Sequence, residues 1–161
     1  MQQTLPGIHD DGGPLSRGEV QVVEDQVYLV TINNDDENTN ICRPRQDNIA
    51  IYEWESNART FQIVQKLSVV CAADADIVQI GNEWFLFIIA QSPDAPSSLD
   101  VLRIYKKYRR VFNFHLQKEL DNPSRVTTFE SRGDYFSLVS QQKGRNSADL
   151  ESSESVLFKW I

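Results

Sequence analysis

Apolar and polar residues alternate along this chain in short runs, and the runs come back on a period. Ile51-Tyr52-Glu53-Trp54 returns as Ile104-Tyr105-Lys106-Lys107 and again as Leu157-Phe158-Lys159-Trp160, at two equal intervals of 53 residues. From Ile51 to Leu67 the chain aligns without a gap on Ile104 to Leu120, which pairs Phe61 with Phe114 and Leu67 with Leu120. A second apolar block precedes each copy, as Val27 to Ile32, Trp84 to Ile89 and Tyr135 to Ser140. Its equivalent aromatics, Tyr28, Phe85 and Phe136, are spaced by 57 and 51 residues, so insertions fall between block and tetrapeptide, in a surface loop.

Period-two alternation makes each run a strand. In the first tetrapeptide it sets Ile49, Ile51 and Glu53 on one face and Ala50, Tyr52 and Trp54 on the other. Val20 to Val23 and Val27 to Ile32 read as a hairpin, Asn48 to Trp54 as a third strand, and Phe61 to Leu67 as a fourth after the turn Ser56 to Arg59. The second unit repeats this order with Ala75 to Ile80, Trp84 to Gln91, Leu102 to Tyr108 and Phe112 to Leu120. The unbroken apolarity of the second of these predicts a strand covered on both faces. The third unit runs Val126 to Phe129, Tyr135 to Gln141 and the last tetrapeptide, with no fourth strand before Ile161.

Four short strands in about 50 residues are what a propeller blade requires. The expected fold is all-β: a partial β-propeller of four-stranded antiparallel blades, about two and three-quarter of them on the repeat count. Residues 1–18, rich in Gly, Pro and acids, are expected to be a disordered N-terminal arm. Residues 19–67 and 68–120 are expected to be blade-like repeats, and 121–161 an incomplete third. Blades cover their apolar faces by packing on neighbours, so this count predicts a segment of a larger ring or a chain completed by another.

The order of an apolar YLV or FLF strand, a polar loop, IYEW, a spacer, FQIVQKL and AADADIVQIGNEWFLFIIAQS resembles the epilepsy-associated repeat (EAR), also called the EPTP or epitempin repeat. That family includes the leucine-rich glioma-inactivated proteins. The resemblance covers roughly residues 20–161 and departs from the frame at Lys107, where the family has tryptophan, and at Ser137 in the third inner strand. It implies a seven-bladed ring, an extracellular or cell-surface setting and a role in binding receptors or matrix proteins. A fold of this kind does not fix a function.

Composition narrows the classes. The net charge of −7 and pI near 4.8 give a field of the wrong sign for nucleic acid or anionic lipid, and no apolar run is long enough to insert in a membrane. Arg103, Lys106, Lys107, Arg109 and Arg110 are spread by alternation over two faces and a turn, and are expected to form a solvated edge. Met1 to Gly7 has neither a basic nor an apolar signal-peptide region. Only His9 and His115 are available for acid–base chemistry, and nothing places either beside a nucleophile with an orienting third group, so the chain is expected not to be an enzyme.

Four candidate features remain. Asp74 and Asp76 stand at the acidic position that the resemblance puts at the channel-lining strand, where carboxylates would suit calcium; the alternative is solvated or turn-capping aspartates. No other cofactor is expected. Arg132-Gly133-Asp134 spells a cell-adhesion tripeptide, and it is also what a tight turn between strands needs. Cys42 and Cys71 are either a disulfide, as in a secreted protein, or two thiols, as in the cytosol. Tyr52, Trp54, Tyr105, Phe158 and Trp160 are periodic and expected to pack as core between blades. The expected function is a non-enzymatic interaction module for a receptor or matrix protein, with self-association as a structural matrix or shell component the alternative.

Overall fold

In the computed structural model the alternating runs become eleven strands among the described residues, which are 17–23, 26–33, 47–90, 100–141 and 155–160. The first sheet is β1 (Arg17–Val23), β2 (Gln26–Ile32), β3 (Ile49–Glu55) and β4 (Thr60–Leu67), in that order. The second is β5 (Ala72–Ile80), β6 (Glu83–Ala90), β7 (Asp100–Tyr108) and β8 (Val111–Leu120). The third has β9 (Pro123–Ser131), β10 (Asp134–Gln141) and β11 (Ser155–Trp160), with β10 in the middle. Every pairing is antiparallel, so the protein is all-β with three consecutive meanders. Of the expected arm, Arg17 and Gly18 already belong to β1; residues 1–16 lie outside the described residues.

One expectation fails by two residues. The gap-free alignment sets Phe61 against Phe114, but the sheets set Phe61 opposite Trp54 and Phe112 opposite Lys107. The first β3–β4 hairpin turns through Ser56 to Arg59, whereas β7–β8 turns through Arg109 and Arg110 alone. A slip of two preserves which face each side chain occupies, so the alternation pattern is blind to it. The register shift within each hairpin, by contrast, falls at equivalent places, between Ile51 and Tyr52 and between Ile104 and Tyr105.

The sheets stack face to face with the second in the middle. Tyr28, Val30, Ile32, Ile49 and Ile51 of the first sheet meet Ala75, Ile77, Leu86, Ile88, Tyr105 and Phe112 of the second. The other face of the second sheet, with Val78, Phe85, Phe87, Ile89, Leu102 and Ile104, meets Val126, Val139, Phe158 and Trp160 of the third. Both alternate sets of β6 are therefore buried, which is why its sequence is continuously apolar from Trp84 to Ala90. Leu29, Ala50 and Tyr52 form a separate cluster with Phe61 and Ile63 on the far face of the first sheet.

Polar groups tie the stack at defined points. The Gln65 amide on β4 donates to the Phe112 carbonyl on β8 at 2.8 Å and accepts the Phe112 N–H at 2.6 Å. The Asn48 amide makes the same two-way contact with the Val69 peptide, at 2.8 and 2.9 Å, holding the start of β3 to the segment that enters β5. A buried amide whose donor and acceptor are both satisfied removes the desolvation penalty that either would otherwise carry. Ser137 is fully buried in the third sheet, and its hydroxyl accepts the Trp160 indole N–H at 2.8 Å and lies 2.8 Å from the Thr128 hydroxyl. The serine that departs from the apolar frame thus anchors the last tetrapeptide.

Candidate protein-interaction surface

Equivalent positions of the repeat are buried in the first two sheets and open in the third. Ile51 and Ile104 are 0% exposed, but their counterpart Leu157 is 55% exposed. Val30 and Phe87 are 1% and 0% exposed, and their counterpart Leu138 is 37%. In the first two sheets these residues face the next sheet. In the third, Leu138 lies opposite Leu157 and Phe136 lies opposite Phe129, so the same face gathers Phe129, Phe136, Leu138 and Leu157. Phe129 and Phe136 stack with ring centres 5.6 Å apart, and Lys159 sits 6.0 Å from the Phe136 ring. Among the described residues nothing covers this face, and adjoining apolar exposure of this kind marks a contact surface.

The rim of the face is the β9–β10 turn. Arg132 and Gly133 form a two-residue turn closed by the Ser131–Asp134 pair, with φ of 56° and 82°. Both corner residues are left-handed, the geometry that follows the strands' own twist, and an added Cβ at Gly133 would meet nothing within 4 Å. The tripeptide is therefore solvent-facing and shaped as a hairpin turn. The Asp134 carboxylate accepts from the Lys159 ammonium of β11 at 2.7 Å.

Asp74 and Asp76 both point toward the third sheet from β5, since Val78, two residues on, packs there. Neither lies in a turn, and Asp74 is half-buried. One Asp74 carboxylate oxygen accepts the Val126 N–H at 2.9 Å, linking the first strands of adjacent sheets, and Asp76 is buried. Among the described residues no three His, Cys, Asp or Glu side chains gather as a metal site would need. Cys71 is disulfide-bonded where the chain enters β5; the only other cysteine, Cys42, lies outside the described residues. His115 is exposed on β8.

Sequence reasoning missed a polar cluster between the first two sheets. Tyr28 is buried and lies directly opposite Glu53, to whose carboxylate its hydroxyl donates at 3.0 Å. Lys107, across the sheet interface, donates to the Tyr28 hydroxyl, with its ammonium 4.4 Å from the Tyr28 ring centre and 5.9 Å from that of Trp84. Burial, then the Glu53 charge and hydrogen bond, push the Tyr28 hydroxyl far above its ordinary value. Burial lowers Lys107, opposed by Glu53. The expectation of a solvated basic edge is wrong here: adjacent Lys106 and Lys107 lie on opposite faces, Lys106 paired with Glu83 at 2.6 Å and Lys107 directed into the stack. The signal was present in the repeat, because Lys107 occupies the place that Trp54 and Trp160 hold in the other copies.

No family model and no curated protein matches the chain. Among solved structures it is similar to the Bombyx mori GH32 beta-fructofuranosidase BmSUC1, with a TM-score of 0.53 and 11% sequence identity. The match covers 86% of this chain and 32% of that one, so the chain spans about a third of that protein's length. At this identity the likeness concerns the fold alone.

Proposed function

We propose that the chain is a non-enzymatic protein-interaction module, a partial β-propeller of the epilepsy-associated-repeat kind that binds a cell-surface receptor or matrix protein. The observation that carries this reading is the open apolar face of Phe129, Phe136, Leu138 and Leu157, at positions whose counterparts elsewhere in the repeat are interface residues. Three meanders stacked through the same alternate positions are what neighbouring blades of a ring present. A disulfide at Cys71 favours an oxidising, extracellular setting. The buried polar residues named above are engaged in joining strands and sheets, which favours a structural use of them over catalysis.

The test is binding of the labelled chain to cell surfaces and to matrix proteins. Wild-type chain is expected to bind saturably, and Leu138→Glu with Leu157→Glu, both at exposed positions, to abolish binding while circular dichroism stays unchanged. Absence of binding, or binding indifferent to this pair, would overturn the reading. A second reading, a structural matrix or shell component, draws on the outer edge of β11, which pairs with no other described strand; concentration-dependent assembly in sedimentation would favour it.

A further inference from the structure

Positive charge is gathered on one strip of an otherwise acidic chain. Arg103 to Lys118 holds six of the 16 Lys and Arg residues and none of the 23 Asp and Glu, a local +6 in a chain of net charge −7. The strip takes in most of β7, the turn after it and β8, the last strand of the second sheet, so it follows an outer edge of that sheet. Two of the six are engaged within the protein: Lys106 pairs with Glu83 at 2.6 Å, and Lys107 turns into the stack beside Glu53. Arg109 and Arg110 are not. They are the corner residues of the turn closed by Tyr108 and Val111, both are exposed, and among the described residues neither forms an ion pair. Arg109 holds a left-handed φ of 59° and sets its guanidinium 5.5 Å from the ring centre of Tyr108, itself 66% exposed. Val111 and Phe114 beyond the turn are 43% and 58% exposed, His115 is exposed, and Lys118 toward the far end of β8 lies 5.1 Å from the Phe158 ring centre. From Arg110 to Lys118 the edge extends about 25 Å.

We propose that this edge binds a linear sulfated polysaccharide, with Arg109 and Arg110 as the principal sulfate-binding groups and Lys118 extending the contact along β8. A guanidinium presents a planar fork of donors and is more weakly hydrated than an ammonium, which suits it to tetrahedral oxyanions. The exposed rings of Tyr108 and Phe114 put flat apolar faces beside these cations, where a sugar ring rests without desolvating a charge. An anionic bilayer or a nucleic-acid duplex meets a wide area of the protein, and with it the surplus acid outside the strip, whereas a slender polyanion meets the strip alone. An acidic peptide supplies charge but no sugar rings for the aromatic positions. Sulfated polysaccharides belong to the oxidising extracellular space that the Cys71 disulfide favours. The site goes beyond the interaction-module reading: it lies on the second sheet, whereas Leu138 and Leu157 lie on the third, and it stands on charge where that reading stands on apolar exposure.

The probe is heparin, titrated into the intact protein at graded salt. Saturable binding is expected, weakening as salt rises. Arg109→Asn with Arg110→Gln, the asparagine chosen because it tolerates the left-handed corner, is expected to bind at least about tenfold more weakly and with a salt slope smaller by about one to two, while circular dichroism stays unchanged. Lys66→Gln with Arg125→Gln removes the same charge from exposed positions outside the strip and is expected to bind within about twofold of wild type. Desulfated heparin, polyglutamate and phosphatidylserine vesicles are expected not to compete. No binding of heparin, equal weakening in the two double variants, or competition by any of the three would each overturn the proposal. If heparin fails while binding to cell surfaces still depends on Leu138 and Leu157, the polysaccharide site alone falls. If heparin binds as described and that dependence is absent, the reading of the apolar face falls instead.

Discussion

Lys107 of the second sheet donates to the buried hydroxyl of Tyr28 in the first, and its ammonium lies 4.4 Å from the Tyr28 ring centre. The hydrogen bond sits in a site that burial makes unfavourable for the charge it holds. Replacing both members of a partly buried charged pair by neutral groups is often neutral or stabilising, whereas removing one leaves the other uncompensated. Lys107→Met leaves the half-buried Glu53 carboxylate without its cation and is expected to lower the unfolding free energy by about 1 kcal/mol or more in urea denaturation, and Glu53→Gln added to it is expected to recover most of that loss. Equal losses in the single and double variants would show that the uncompensated carboxylate is not the cause.

The same pair gives the alkaline stability profile a defined shape. The folded state holds Tyr28 and Tyr52 above their ordinary value of 10.0, chiefly through burial. The unfolded chain then loses these protons first, so stability is full below that pH and falls as pH rises through it. Lys107 acts with the opposite sign: its folded value lies below 10.5, the unfolded chain holds the proton longer, and stability rises with pH toward 10.5. Glu53 is the charged neighbour of both Tyr28 and Lys107. Urea midpoints at graded pH are expected to show Tyr28→Phe reducing the alkaline fall and Lys107→Met flattening the rise before it. Unchanged profiles in both variants would remove this cluster as their cause.

Polar clasps make graded claims. Gln65→Ala, which strands the Phe112 peptide between sheets, and Ser137→Ala, which strands the Trp160 indole N–H within the third sheet, both break partly buried bonds and are each expected to cost about 1 kcal/mol. Asn48→Ala, fully buried and bonded both ways to Val69, is expected to cost about 2 kcal/mol. Equal, near-zero effects in denaturation would show that water replaces these partners without penalty.

The all-β class and the run of strands were legible because alternation sets the face of every residue, and β6 announced its burial on both sides by carrying no polar residue between Trp84 and Ala90. Hairpin register was not legible. A two-residue difference in turn length leaves alternation intact, so Phe61 aligned equally well with the wrong phenylalanine. The surface was half legible: the third copy of each apolar block could be placed, but the exposure of Leu138 and Leu157 depends on what packs beside them. Long-range polar contacts such as Gln65 to Phe112 and Asp74 to Val126 left no local trace, since they join residues 47 and 52 positions apart through the stacking of sheets.

Cys71 makes a covalent prediction. Cys42 is the chain's only other cysteine, so native protein is expected to take up no alkylating agent until reduced and two adducts afterwards, by intact mass. Closing a loop of this size contributes about 3 kcal/mol, and reduction is expected to lower the urea midpoint accordingly. Two thiols reactive without reductant would count against both the bridge and the extracellular setting.

At the β9–β10 turn, conformation and adhesion make separable demands on the same three residues. Gly133 sits at φ 82°, where a side chain is strained whatever the surrounding space, so Gly133→Ala is expected to cost about 1 to 2 kcal/mol although nothing clashes with its methyl group. Arg132→Asn, at φ 56°, places a residue that tolerates this conformation and is expected to be neutral or slightly stabilising. A receptor that reads the tripeptide needs the carboxylate at one chain length from the backbone, whereas a turn does not. Asp134→Glu is therefore expected to leave both stability and cell attachment unchanged if the residue serves the hairpin and its exposed pair with Lys159, a contact of small energy. Loss of attachment with an unaltered urea midpoint would reverse this assignment and make the turn part of the binding surface.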